Sequence, residues 1–116
     1  MSDIRKETHG DTTVFFLEGK LDGVSSPSIQ KTISEEISSG TKNIVLECSK
    51  LEYMSSAGIR VLLQSYHQAG KNSGKIVLTT VSKTIEQTLY VTGFLSYFHI
   101  YASLEDALSS LNQQED

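Results

Sequence analysis

Asn43-Ile44-Val45-Leu46-Glu47-Cys48 and, a few residues on, Met54-Ser55-Ser56-Ala57-Gly58-Ile59-Arg60-Val61-Leu62-Leu63 together decide the fold. Ile44, Val45 and Leu46 form an unbroken apolar run, the pattern of a strand buried on both faces, and it extends to Cys48. Ser49 to Met54 is mixed in character and predicts a loop. Beyond it Ile59, Leu62, Leu63, Tyr66 and Ala69 recur at helical spacing and give one core-facing stripe. A buried strand handing over to an amphipathic helix is the building unit of an α/β fold.

The same alternation continues in both directions. Upstream, Val14-Phe15-Phe16-Leu17 reads as another buried strand. The more polar Asp3–Thr8 predicts an edge strand, joined to it by a turn at His9-Gly10-Asp11. Ser26 is placed to cap a first helix with Pro27 at its first helical position. Ile29, Ile33 and Ile37 line one face of that helix, and Gly40 ends it. Downstream, Gly70 to Gly74 breaks the second helix before a strand at Ile76-Val77-Leu78. Ser82 caps a third helix carrying Ile85 and Leu89, with Gly93 past its end. A short Phe98–Ile100 strand follows. Ser103 then caps a last helix with Leu104, Ala107, Leu108 and Leu111 inward and Asp106 placed for a capping-box contact. The expectation is one α/β domain, a mixed central sheet packed with about four helices. Its core runs from about 4 to 111, with a polar tail at 112–116.

Composition sets the outer bounds. The chain has 116 residues, 38% apolar and 21% charged, with a single proline, which suits one core and not a disordered chain. Fourteen acids against ten bases give a net charge of −4, opposite in sign to the surface that duplex binding needs. No apolar run approaches the roughly 20 residues of a membrane-spanning helix, and Met1-Ser2-Asp3-Ile4-Arg5 opens no secretory signal. Cys48 alone allows neither an internal disulfide nor a cysteine-based metal cluster. A soluble, cytoplasmic protein with neither nucleic acid nor membrane as its partner is expected.

Catalytic chemistry finds little support. His9, His67 and His99 fall on a turn, a helix and a strand with no zinc-binding spacing, and His67 and His99 read as facing away from the core. Gly70-Lys71-Asn72-Ser73-Gly74-Lys75 imitates a phosphate loop. It is one residue short, it has Ile76 where a magnesium-binding hydroxyl belongs, and it precedes a strand. No G-x-S-x-G elbow occurs. Glu35-Glu36 reads as a solvated helix face, and Cys48 as inert packing. Phe94, Leu95 and Tyr97 read either as packing beneath the third helix or as an apolar contact patch. No catalytic residue, metal or cofactor is expected; a hydrolase built on Ser56 with His67 or His99 would lack a base placed by any motif.

Ser55 and Ser56 are the informative pair. A serine at the start of a helix caps it by accepting a bond from a first-turn N–H, and Ser55 fills that role. Ser56 then stands at the first helical position, exposed at the positive end of the helix dipole, where a phosphoryl group is electrostatically favoured. Ala57 and Gly58 keep the first turn free of bulk for something that approaches closely, although Gly58 costs about 1 kcal/mol of helix propensity.

Gly19-Lys20-Leu21-Asp22, Asn43 to Ser49, and Tyr53 to Leu63 resemble, in order and spacing, the successive signatures of the STAS domain, in particular the free-standing bacterial anti-sigma factor antagonists. The resemblance covers about Ile4 to Leu111. In the family's D-S-[SA]-G-[LI] pattern the serine after the acid is the phosphoacceptor, which corresponds to Ser56. Ser55 stands where the acid usually is, a departure that leaves Ser55 as the second choice of acceptor. Glu47 stands where the family often has Asp or Asn. Asp22 matches the acid of G-x-L-D, implied to lie near the phosphoserine and to help kinase recognition. The resemblance implies a partner-binding set of Asp22, Ser55, Ser56, Ala57, Gly58 and Arg60. It also implies two partners, a serine protein kinase that is itself the anti-sigma factor and a PP2C-type phosphatase. A partner-switching adaptor with a non-sigma output (stressosome scaffold, secretion regulator or lipid-transporter subunit) would use the same surface.

Overall fold

A computed structural model of the chain describes residues 4–113, with side chains through residue 111. The described elements are strands β1 (Arg5–His9), β2 (Thr12–Leu21), β3 (Asn43–Met54), β4 (Lys75–Thr79) and β5 (Ile100–Tyr101). Between and after them lie helices α1 (Ser26–Ser38), α2 (Ser56–Lys71), α3 (Lys83–Val91) and α4 (Leu104–Gln113), with a 3-10 turn at Leu95–Tyr97. The strands lie in chain order in one sheet; β1 is antiparallel to β2, and the rest are parallel. Parallel neighbours need crossovers, and crossovers are right-handed, so stepping steadily across the sheet puts α1, α2 and α3 on one face. Phe15, Leu46 and Leu78 share a level of that face and join Ile33, Leu62 and Ile85 in the main core. One residue earlier, Val14, Val45 and Val77 point the other way and pack under Ala107 and Leu111 of α4.

The edge strand is β1, all five of its residues exposed and three of them basic, a composition that discourages edge-to-edge pairing. In α1, Ile29, Ile33 and Ile37 are buried as their spacing requires, and Gly40 follows the helix at φ +108°. Ser82 Oγ accepts from Ile85 N–H at 3.2 Å and Ser103 Oγ from Asp106 N–H at 3.1 Å, so both caps form. Cys48 is buried, and burial, with Glu47 adding to it, pushes its thiol up to about 12, which keeps it protonated and inert.

The following expectations change. Ser49–Met54 is not a loop but the second half of β3, paired with β2 from Glu18↔Lys50 to Leu21↔Met54. Two register shifts there bury Cys48, Leu51 and Met54 at every third position, so the period-two mark of a strand is lost. Ser26 does not cap α1. It is the first helical residue, its Oγ is buried without a partner, and the preceding Ser25 donates its own hydroxyl to Lys20 O at 2.7 Å. Glu36 is not solvated: its carboxylate accepts from Thr13 Oγ1 (2.8 Å), Thr41 Oγ1 (2.6 Å) and Lys6 Nζ (3.1 Å), tying α1 to β2, to the loop before β3 and to β1. The expected Phe98–Ile100 strand is displaced to Ile100–Tyr101 by the 3-10 turn, under which Phe94 and Leu95 pack against the core. The second helix runs to Lys71 before breaking, and α4 runs to Gln113 where a tail was expected; 114–116 lie outside the described residues.

Those hydroxyl bonds, Thr41 first, hold the Glu36 carboxyl below its ordinary value of 4.5. A depressed folded value means that the bonds stabilise the fold above that pH and that their contribution fades as pH falls through the folded value. Glu36→Gln should therefore cost about 1–2 kcal/mol at pH 7, and the gap from the parent should close below pH 4.5 in urea unfolding series.

Candidate functional site

Two strands outrun the rest of the sheet: β2 has 10 residues and β3 has 12, whereas β4 has 5. Their paired ends at Leu21 and Met54 put the turn into α1 beside the start of α2. Leu21 O is the hinge of this corner. It accepts the Ser55 N–H at 2.9 Å and, at a longer 3.5 Å, the Ser55 hydroxyl. Gly58 is buried one turn into α2 against the same carbonyl. A Cβ at that position would overlap Leu21 O and stand 2.9 Å from both Leu21 Cγ and Met54 Cγ. The close approach that glycine permits is thus to the protein's own β2, a requirement that outweighs its helix cost.

Ser55 is extended (φ −90°, ψ 179°), and its Oγ accepts from Gly58 N–H at 3.4 Å, the N-cap expected of it. Ser56 is the first helical residue and is exposed, as is Arg60, while Ala57 is half-buried. Among the described residues none bonds the Ser56 hydroxyl, and the first turn of α2 holds no acid. Apart from the Gly58 N–H that Ser55 takes, the first-turn amides therefore lack intrahelical partners, and the dipole meets no acid on the helix itself.

Asp22 folds the loop that follows β2. Its Oδ1 accepts from Val24 N–H (3.0 Å) and Ser25 N–H (3.1 Å), an Asx turn. The Ser25 amide bond, then that of Val24, holds the carboxyl below its ordinary 3.8, so it is ionised at neutral pH. This loop lifts Val24 to 91% exposure at the same end of the sheet, a residue that the sequence reading passed over because no periodicity marks it.

The structure thus brings Asp22, Ser55, Ser56, Ala57 and Gly58 to one corner, through the Leu21–Ser55 bond and the packing of Gly58. The histidines lie elsewhere. His67 follows Ser56 by eleven residues along α2, roughly 16 Å at the helical rise, and lines a groove with His99. His9 pairs with Glu7 on β1. Among the described residues no cluster of three potential metal ligands occurs, and no helix is long and apolar enough to cross a membrane.

The description of the STAS domain matches residues 3–107. The chain belongs to the STAS family. BtrV of Bordetella bronchiseptica is 28% identical over 94 residues, 81% of each chain. The anti-sigma F factor antagonist of Paenibacillus polymyxa is 27% identical over 109 residues, 93% of each chain. The fold is similar to that of the anti-sigma factor antagonist SpoIIAA in its unphosphorylated form, with a TM-score of 0.84 at 23% identity over 96% of this chain and 97% of that one. For the phosphorylated form of the Bacillus protein the TM-score is 0.76 at 24% identity, over 94% and 99%. Ser56 is the first helical residue of α2, and Ser55 is its cap.

Gly58→Ala should destabilise the domain by about 1–3 kcal/mol through overpacking against Leu21 and Met54, read as a lowered thermal midpoint. Unchanged stability would show that the corner yields to a methyl group.

Proposed function

We propose that this protein is a cytoplasmic anti-sigma factor antagonist that works as a binding module and not as an enzyme. The corner formed by Asp22, Ser55, Ser56, Ala57 and Gly58, with the exposed Arg60 about one turn further along α2, docks an anti-sigma factor that is itself a serine kinase. The kinase transfers the γ-phosphoryl group of ATP to Ser56 Oγ: the new P–O bond forms as the bond to the ADP oxygen breaks, and the hydroxyl proton is lost. A PP2C-type phosphatase hydrolyses the ester and restores the hydroxyl. The functional unit in this reading is residues 4–111 as one domain.

The observation that carries the reading is the Ser56 hydroxyl, exposed and unbonded where the amides of α2 converge. The names of the relatives support the antagonist role, since the Paenibacillus polymyxa and Mycobacterium tuberculosis proteins are anti-sigma F factor antagonists. The electrostatics support the switch. A phosphoryl group adds about −1.5 to −2 charges at a helix start that tolerates them, close to an already ionised Asp22. The change therefore falls on the face shown to a partner and not on the core. Ser56 is preferred over Ser55 because the Ser55 oxygen is engaged with Gly58 N–H and Leu21 O.

Incubation with the cognate kinase and ATP should add one phosphate, mapped to Ser56; modification at Ser55 or outside this peptide would overturn the assignment. Ser56→Asp should weaken kinase binding by about tenfold or more with the thermal midpoint held within about 2 °C. Ser56→Ala should bind the kinase yet resist release by ATP, as measured by pull-down with and without nucleotide.

A further inference from the structure

In a chain with 14 acids and a net charge of −4, the 16 residues of α2 include no Asp or Glu. Ser56, Arg60, Gln64, His67 and Lys71 are all exposed and lie along one stripe of the helix. Arg60 is the cation of that stripe nearest to Ser56. Four residues separate the two, which sets their Cβ atoms about 5–6 Å apart on one face. A long side chain on a helix covers the turn N-terminal to its own Cα, and for Arg60 that turn begins at Ser56.

The guanidinium is uncommitted. Among the described residues none bonds or pairs with it, and the residues three and four away along the helix, Ser56, Ala57, Leu63 and Gln64, include no acid. Asp22, the ionised acid of this corner, has its Oδ1 taken by the Val24 and Ser25 amides. Once the Ser56 hydroxyl carries a phosphoryl group, an anion precedes a cation by four residues, the favoured order for an ion pair within a helix. The planar fork of arginine fits two phosphoryl oxygens at once.

We propose that a phosphoryl group on Ser56 draws Arg60 back across one turn of α2 into a bidentate pair, which withdraws a cation from the docking face as the modification adds negative charge. The inference rests on the reading of Ser56 as the phosphoacceptor. With the hydroxyl free, Arg60 meets an acidic group of the partner. With the hydroxyl esterified, the guanidinium is held in cis and that acidic group faces the phosphoryl group instead. Modification therefore acts twice on one contact.

The test installs phosphoserine at position 56 of the full chain by codon suppression, which needs no kinase, and follows its 31P resonance against pH in the parent, Arg60→Gln and Arg60→Lys. The second phosphate ionisation, near pH 6, should lie about 0.3 lower in the parent than in Arg60→Gln, with Arg60→Lys between them. The Arg60 Nε–H resonance of the parent should move over the same pH range. Asp22 and the α2 dipole act on the phosphate in all three proteins, so the difference reads Arg60. Equal midpoints in the parent and Arg60→Gln, or an Nε–H that ignores the phosphate, would overturn the pairing. Arg60→Gln should also narrow the ratio of kinase affinities between the hydroxyl and phosphoserine forms by about threefold or more; an unchanged ratio would overturn the withdrawal from the docking face. Failure of the switch itself looks different: the kinase then modifies another residue while the ionisation difference persists.

Discussion

The corner where β2 ends against the start of α2 depends on one main-chain acceptor, Leu21 O. It takes the Ser55 N–H, and Gly58 lies against it with no space for a side chain. That contact sets where α2 begins and how closely the helix approaches the sheet, and so where the Ser56 hydroxyl points. A helix start of this kind leaves several amides without intrahelical partners. Here the Ser55 side chain takes the Gly58 amide, and the dipole at this end is met by no acid on the helix itself. This corner is therefore set first by backbone and by a glycine.

The taper of the sheet gives the molecule two unlike ends. Toward β2 and β3 the strands run long, project past the level at which β4 stops, and carry the Asp22 turn and the Ser55 cap on their tips. Toward β4 and β5 they run short, and the missing half-strand leaves a slot between the helical layers. α2 spans the distance between these ends, with Ser56 at one terminus and Lys71 at the other. The inequality of strand lengths thus makes the two ends of the sheet unlike.

Much of this was legible in the sequence, and the failures share a cause. The apolar triplets Ile44–Leu46 and Ile76–Leu78, the isoleucine stripe of α1, and the capping serines at 55, 82 and 103 each satisfy a local rule that the fold also obeys. The second half of β3 was hidden because register shifts convert alternation into a threefold pattern at Cys48, Leu51 and Met54. Glu36 was misread because its partners, Thr13, Thr41 and Lys6, lie on other segments and leave no mark on the spacing within α1. Gly58 was seen as unusual but assigned to an outside approach; only the position of Leu21 O shows that the neighbour is internal. The Ser55 cap was visible in the sequence, and the contacts that fix the corner were not.

The rigidity of Asp22 bears on how a charge at Ser56 would be felt. A carboxylate free to rotate could swing away from a new dianion and dissipate the repulsion. Here one oxygen is already held by the Val24 and Ser25 amides, and those bonds favour the ionised form. The helix dipole of α2 offsets part of the repulsion on the protein's own account, typically by 0.3–1 kcal/mol at an exposed site. A partner receives no such compensation. On the proposed reading, a partner with an acidic contact face would approach a surface whose negative groups are held in place, in a partly desolvated contact where like charges cost several kcal/mol. A phosphoryl group at Ser56 would thus be nearly neutral for folding and, against such a partner, costly for docking, which is the asymmetry that the proposed switch needs.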